Sequence, residues 1–155
     1  ILTFDKSLEL KIKKNRVINI CILYQSKNRK SLNLRNEVLK YTSNNEIDEV
    51  IGSKTNIFSL DIEDNYSFEK YLNDKTIDIV ILTTLKAINI EYIAGLCQMN
   101  NIMSFSLVPD YIAGGISVAI DIKGDRPQIV VNLNSAKKEG VNFSSHLLKL
   151  SKIIK

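Results

Sequence analysis

The chain has 155 residues, which suffice for one domain with a single core but not for two. Its composition, 45% hydrophobic and 25% charged, is that of an ordinary folded protein and argues against disorder. We therefore expect a single domain over 1–155. The formal charge of +4 lies mainly near the termini, and the sequence lacks the basic stripe with interleaved aromatic residues that is typical of nucleic-acid readers. We therefore also expect that the protein binds no nucleic acid.

Apolar runs and helical spacings alternate along the first two thirds of the chain. Residues 1–14 mix apolar residues with lysines and are predicted to be partly helical. Residues 17–24 form a nearly continuous apolar run rich in β-branched residues, which is typical of a strand covered on both faces. A helix is predicted over 31–41, where Leu34, Val38 and Tyr41 recur at helical spacing. Further strands are predicted at 57–62, 77–83 and 102–108, with helices around 68–72 and 90–97 between them.

The last third of the chain predicts a hairpin followed by helices. Apolar and polar residues alternate over 116–122 and 129–133, and a turn joins the two runs. A short helical turn is predicted at 135–139, stopped by Gly140. Ser144 or Ser145 can cap a final amphipathic helix, whose apolar side we expect to dock on the sheet: Leu147, Leu148, Leu150, Ile153 and Ile154.

This alternation of strand and helix predicts the fold class. It is typical of a mostly parallel sheet flanked by helices, an α/β three-layer sandwich. Right-handed crossovers give a strand order near 2-1-3-4, with the antiparallel hairpin extending one edge and a terminal helix after it.

Polar residues follow the predicted strands, where loops of a parallel sheet converge and ligands commonly bind. We expect that these side chains could hold a small polar ligand: Gln25, Ser26, Asp61, Thr83, Thr84, Asp110 and Tyr111. The alternative is that such loops are polar because they meet water.

Known catalytic patterns are absent from the sequence. Asp61, Asp64 and Asp110 could suggest a metal site or a phosphoacceptor, but the first strand is followed by Gln25 rather than by the acidic pair of a receiver domain. The single histidine, His146, has no Gly-x-Ser-x-Gly elbow to meet it, and zinc would need more cysteine and histidine ligands. We therefore expect no catalytic residues, no cofactor and no metal.

The sequence gives weak indications of the compartment. The cysteines, Cys21 in an apolar run and Cys97 on a predicted helix, are compatible with buried thiols in any compartment. No run approaches the roughly 20 apolar residues of a membrane span. Because the chain begins at Ile1 without methionine, we expect a trimmed chain whose signal peptide has been removed.

Three segments of the closing third carry a recognisable pattern. Residues 114–118 (GGISV) open a glycine-led hairpin, 128–136 (QIVVNLNSA) place an Asn-Leu before an alanine-containing helix, and 140–150 (GVNFSSHLLKL) join a glycine to a Ser-Ser-x-Leu-Leu helix. This order resembles the carboxyl-terminal signature of the bacterial YfiR-like family. Residues 1–5 (ILTFD) also resemble the end of that family's first helix.

The resemblance implies a periplasmic, non-enzymatic α/β protein that senses a signal in the cell envelope. Its expected partner is a membrane-bound signalling protein, a diguanylate cyclase in the best-known members, which links the family to cyclic-di-GMP signalling and biofilm formation. A homodimer is a second assembly to consider. The alternatives are a solute-binding domain resembling one lobe of an ABC-type substrate-binding protein, and an enzyme with the same fold, which would need a nucleophile and base or a bound cofactor.

Overall fold

The computed structural model describes residues 2–14, 17–42, 46–63, 67–74 and 77–155. Short 3₁₀ helices occupy Leu2–Phe4 and Pro109–Ile112. The α-helices are α1 Lys6–Lys13, α2 Arg29–Thr42, α3 Glu46–Ile51, α4 Ser67–Asp74, α5 Ile90–Met99, α6 Leu133–Lys138 and α7 Ser145–Leu150. The strands are β1 Ile18–Tyr24, β2 Thr55–Asp61, β3 Ile79–Leu82, β4 Met103–Ser106, β5 Val118–Lys123, β6 Arg126–Asn132 and β7 Lys152–Ile154.

All seven of these strands form one sheet in the order β2-β1-β3-β4-β5-β6-β7. Every neighbouring pair is parallel except β5 and β6, which form the antiparallel hairpin. The predicted α/β class, the 2-1-3-4 order and the hairpin that extends one edge are therefore confirmed. Parallel strands need long crossovers, and the helices between them supply these.

Helices cover both faces of the sheet because its central strands are apolar on both sides. In β1, Cys21 and Leu23 pack in one cluster with α4 and α5, whereas Ile18 and Ile20 pack in the opposite cluster with α1, α3 and α7. All four side chains are essentially inaccessible to water. Burying a side chain of this size contributes about 1.5–3 kcal/mol, so this strand anchors the fold.

The end of the chain differs from the prediction of one long terminal helix. Helix α7 ends at Leu150, the backbone becomes extended at Ser151, and residues 152–154 pair in parallel with β6 as β7. Leu147 docks in the core as expected, but Leu150 and Ile153 are exposed. The apolar spacing of this segment is compatible with either a helix or a strand. Residues 152–154 form a strand because the edge of β6 is open for pairing. Helix α3 was also not predicted.

Candidate functional site

The loops that leave β1, β2 and β3 meet at the carboxyl end of the sheet. The Gln25 side-chain amide forms two hydrogen bonds with the backbone of Lys86, donating to its carbonyl at 3.3 Å and accepting from its N–H at 2.9 Å. The N–H of Ser26 donates to the Asp61 carboxylate at 3.1 Å. The side chain of Asn28 donates to the carbonyl of Thr84 at 2.9 Å. The structure thus brings together the strand ends that the sequence analysis selected.

A chain of hydroxyl groups runs beneath this surface. Thr83 is completely buried and donates to the carbonyl of Leu23 at 2.9 Å. Its hydroxyl has one proton, so Ser31, which lies 2.7 Å away, must be the donor in their shared hydrogen bond. Ser31 in turn accepts from the N–H of Gln25 at 2.8 Å. The chain fixes the start of α2 against β1 and β3.

Tyr111 connects the loop after β4 to the loop after β3. Its hydroxyl accepts from the N–H of Leu85 at 2.8 Å and donates to the carbonyl of the same residue at 2.9 Å. Asp110, next to it on the 3₁₀ helix, is exposed, and Thr84 is half-buried. Tyr111 therefore positions the loop, while Asp110 and Thr84 lie at its surface.

Asp61 is held in its charged form. Partial burial raises its pKa, but hydrogen bonds from the side chain and N–H of Ser26 and from the N–H of Glu63, together with the charge of Lys27, outweigh burial and lower the pKa below its ordinary value. The Lys27 ammonium also lies 3.0 Å from the Glu63 carboxylate. Asp64, which the sequence analysis grouped with Asp61, lies outside the described residues.

A second polar feature, not foreseen from the sequence, lies at the opposite end of β3 and β4. A cavity of about 200 Å³ is lined by Asp5, Ser7, Leu8, Asp78, Ile79, Asn101, Met103, Glu139, Gly140 and Val141. Three of these residues are carboxylates that are at least 95% buried: Asp5, Asp78 and Glu139. None of the lining residues is a lysine, arginine or histidine.

Each of these carboxylates accepts hydrogen bonds from nearby donors. Asp5 caps α1 by accepting from the N–H of Ser7 at 2.9 Å, and it also accepts from the N–H of Asn142 at 3.0 Å. Asp78 accepts from the N–H of Asn19 at 2.9 Å. These contacts join the first helix, the strands and the loop after α6.

Glu139 completes the pairing of two strands. In the described ladder, β4 pairs with β5 at Phe105 and Ser106. One residue before these, the N–H of Ser104 donates to Glu139 Oε2 at 3.0 Å instead of to a residue of β5. The Ser104 hydroxyl lies 2.5 Å from Oε1, and Ser117 donates its own hydroxyl to the Ser104 carbonyl at 2.7 Å. Burial raises the pKa of Glu139 to about 7, although the hydrogen bonds from the hydroxyl and the N–H of Ser104 act in the opposite direction.

A local signal could have identified two of these carboxylates. Asp5 precedes a helix, where an aspartate is a favoured cap. Glu139 follows the last turn of α6, where the helix dipole disfavours a negative charge, and it precedes Gly140, whose φ of +73° ends the helix as predicted. A carboxylate in an unfavourable local position indicates a tertiary role.

The two thiols are inert in this arrangement. Both cysteines are free and buried. Burial raises the pKa of Cys21 to about 12. Burial also raises the pKa of Cys97, as do the negative charges of Glu139 and Cys21. Thiols with raised pKa values carry little thiolate and react slowly.

The described residues contain neither a metal-binding cluster nor a membrane-spanning helix. Among them, no three His, Cys, Asp or Glu side chains are grouped in a way that could hold a metal ion. Within the same ranges, no helix has the length and apolar character needed to cross a membrane.

Comparison with known families shows to which family the chain belongs. The sequence model of the YfiR/HmsC-like family matches residues 9–152, nearly the whole chain. The chain belongs to this family. Membership supports a periplasmic regulatory module, as the resemblance of the closing third implied. A search of curated proteins gave no match.

Solved structures confirm the fold at low sequence identity. A conserved domain protein from Vibrio cholerae O1 biovar El Tor aligns with a TM-score of 0.63 at 13% identity, covering 97% of this chain and 60% of that one. An ABC domain from Streptococcus pneumoniae in complex with L-Trp gives 0.65 at 14%, covering 99% and 62%. The ligand-free, open substrate-binding protein CD0873 from Clostridium difficile gives 0.67 at 16%, covering 97% and 59%. The chain spans about three fifths of these structures, and the likeness shows the fold alone.

Proposed function

We propose that the protein is a non-enzymatic periplasmic regulator that restrains a membrane-bound signalling protein, with a diguanylate cyclase as the candidate. The observation that carries the proposal is the family match over residues 9–152. A regulator of this kind would tune cyclic-di-GMP signalling and biofilm formation. The same membership supports the proposed periplasmic localisation, and we propose that a signal peptide is removed on export.

The geometry supports a binding role rather than catalysis. A nucleophile needs a base within hydrogen-bond reach, and the hydroxyls of Ser31 and Thr83 are instead bonded to each other and to the backbone. His146 is exposed on α7, and its ring centroid lies 5.7 Å from that of Phe4.

The test measures cyclic-di-GMP in cells of the source organism that express the chain behind a periplasmic signal peptide. We expect the concentration to fall, and we expect affinity capture from detergent-solubilised membranes to recover a diguanylate cyclase. The matched control is the same chain without the signal peptide, which cannot reach a periplasmic surface. Unchanged cyclic-di-GMP together with no recovered cyclase would contradict the proposal.

The second candidate function is binding of a small polar ligand at the strand-end loops. It is favoured by the shared fold of an ABC domain solved in complex with L-Trp and of a substrate-binding protein, and by the convergence of these loops. The proposed contacts are the surface residues of the sequence analysis, Gln25, Ser26, Asp61, Thr84, Asp110 and Tyr111, whereas Thr83, also selected there, is completely buried and would act only by holding Ser31 in place. Asp110 and Thr84 are the residues to change, because both lie at the loop surface and their side chains are the least involved in holding the loops together.

A thermal-shift screen of amino acids, including L-tryptophan, followed by calorimetry tests this candidate. We expect Thr84→Ala and Asp110→Ala each to weaken binding of any hit at least tenfold without lowering the melting temperature. Asp125→Ala, which changes an exposed carboxylate on the distant hairpin turn, is the matched control and should bind as the wild type does. Unchanged affinity in both site variants, or a screen without hits, would refute this candidate.

A further inference from the structure

The hairpin of β5 and β6 projects beyond the rest of the sheet. The two strands pair with each other from Val118 and Val131 to Lys123 and Arg126. In the described sheet, β4 pairs with β5 at Val118 and Ala119, and β7 pairs with β6 at 130–132. Residues 120–129 therefore form a two-stranded projection with both edges open.

The two faces of this projection differ. Because side chains alternate along a strand, Ile120 and Ile122 share one face with the residues opposite them, Ile129 and Pro127. Ile122 is 71% exposed. The other face is polar and carries Asp121 and Lys123 on β5, opposite Gln128 and Arg126. The apolar face continues outward from the core cluster that contains Val118 and Val131.

The two edges also differ. Pro127 lacks an N–H, so it protects the β6 edge and cannot form a doubly hydrogen-bonded pair with Ile122. Paired residues alternate between hydrogen-bonded and non-hydrogen-bonded positions in an antiparallel ladder. The N–H and C=O of Ile122 consequently point away from β6, toward the open edge of β5. An edge of this kind is a template for another strand.

We propose that a second copy of this chain pairs with the β5 edge, antiparallel and centred on Ile122. A two-fold axis there places Ile122 beside Ile122 of the partner subunit, with reciprocal backbone hydrogen bonds. On the polar face, Asp121 then lies opposite Lys123 of the partner subunit, twice by symmetry. Centring the pair on Asp121 would instead oppose two aspartates.

Charge complementarity selects a second copy over an unrelated strand. The sequence Asp121-Ile122-Lys123 is self-complementary when reversed, so both ion pairs form without any other residue. Burial of Ile122 against its counterpart removes one of the most exposed apolar side chains of the described residues from water. The proposal is independent of the function proposed above.

The test is sedimentation velocity on the full chain over a concentration series up to about 0.5 mM, where an interface of this small size should associate. Asp121→Lys opposes two lysines and Lys123→Asp opposes two aspartates, so each should weaken dimerisation by about tenfold or more. An equimolar mixture of the two variants restores both ion pairs and should form a heterodimer. Lys138→Asp, which changes the same charge on the exposed end of α6, should dimerise like the wild type.

Three results would overturn the proposal. The first is a wild type that stays monomeric throughout the series. The second is a pair of variants that dimerise as the wild type does. The third is a mixture that fails to associate while circular dichroism shows both variants folded, because pairing across β5 requires the heterodimer to be the favoured species.

Discussion

Replacing Glu139 by glutamine should remove a large part of the pH dependence of stability. The side chain is 2% exposed, and burial raises its pKa from 4.5 to about 7. One pKa unit corresponds to about 1.4 kcal/mol, so the group accounts for about 3 kcal/mol of pH-dependent free energy of unfolding. This is a substantial fraction of the 5–15 kcal/mol that is typical of native proteins as an order of magnitude.

The sign follows from the direction of the pKa change. Because the pKa in the folded state is above that in the unfolded state, the folded protein binds the proton more tightly. The stability that this proton confers is fully present below pH 4.5 and is lost as the pH rises through about 7. Wild type should therefore lose stability across this window, whereas Glu139→Gln keeps a neutral side chain that can accept from the N–H of Ser104 at every pH.

Urea denaturation followed by far-ultraviolet circular dichroism at intervals from pH 4 to pH 8 measures the effect, since the chain contains no tryptophan. The difference in unfolding free energy between Glu139→Gln and wild type should change by about 3 kcal/mol over this range. Glu9→Gln removes a carboxylate that is 60% exposed and should give a curve parallel to wild type. A difference that stays constant with pH would refute the reasoning.

Three further perturbations test the site and the hairpin. Tyr111→Phe should lower the unfolding free energy by about 1–2 kcal/mol in urea denaturation, because both backbone groups of Leu85 lose their partner; an unchanged value would contradict this. Asp61→Ala should cost about 1 kcal/mol at pH 7, and the part of this cost that belongs to the charged carboxylate should be lost as the pH falls through its lowered pKa, so a cost that does not change as the pH is lowered would be evidence against the assigned hydrogen bonds. Ile129→Asp should destabilise by about 3 kcal/mol or more, whereas Ile122→Asp should stay within about 0.5 kcal/mol at low protein concentration; similar thermal melts would show that the boundary between the packed base and the exposed tip of the hairpin is assigned wrongly.

Strands that are buried on both faces could be predicted because their composition is decisive. Residues 17–24 were predicted as a strand, and β1 occupies Ile18–Tyr24. The final strand could not be predicted in this way. Residues 152–154 follow a helix whose apolar spacing they continue, and a three-residue strand has too little pattern of its own. Its state depends on pairing with β6, which lies some 20 residues earlier in the chain.

The loops at the carboxyl end of the sheet could be located from the sequence. Which of their side chains are buried and hydrogen-bonded, and which are exposed, could not be predicted. Residue type and position after a strand selected Thr83 and Asp110 alike. The structure gives Thr83 a buried hydroxyl that bonds to Leu23, and it leaves Asp110 exposed. This difference depends on which atoms of α2 and β1 lie within about 3 Å, and such distances are a property of the packed fold rather than of local sequence.

The positions of the buried polar groups also bear on how a regulator of this fold could respond to its surroundings. At the carboxyl ends, hydroxyl and amide groups are hydrogen-bonded to the backbone of neighbouring loops. At the opposite end, Glu139 joins β4 and β5 to the segment that follows α6, and Asn142 in that segment holds Asp5 at the start of α1. Because Glu139 and Asn142 are only three residues apart in that segment, a change in the charge of Glu139 would act close to the contact that holds the first helix. The end of the sheet that carries the buried carboxylates, rather than the polar loops, is where we expect stability to respond to pH.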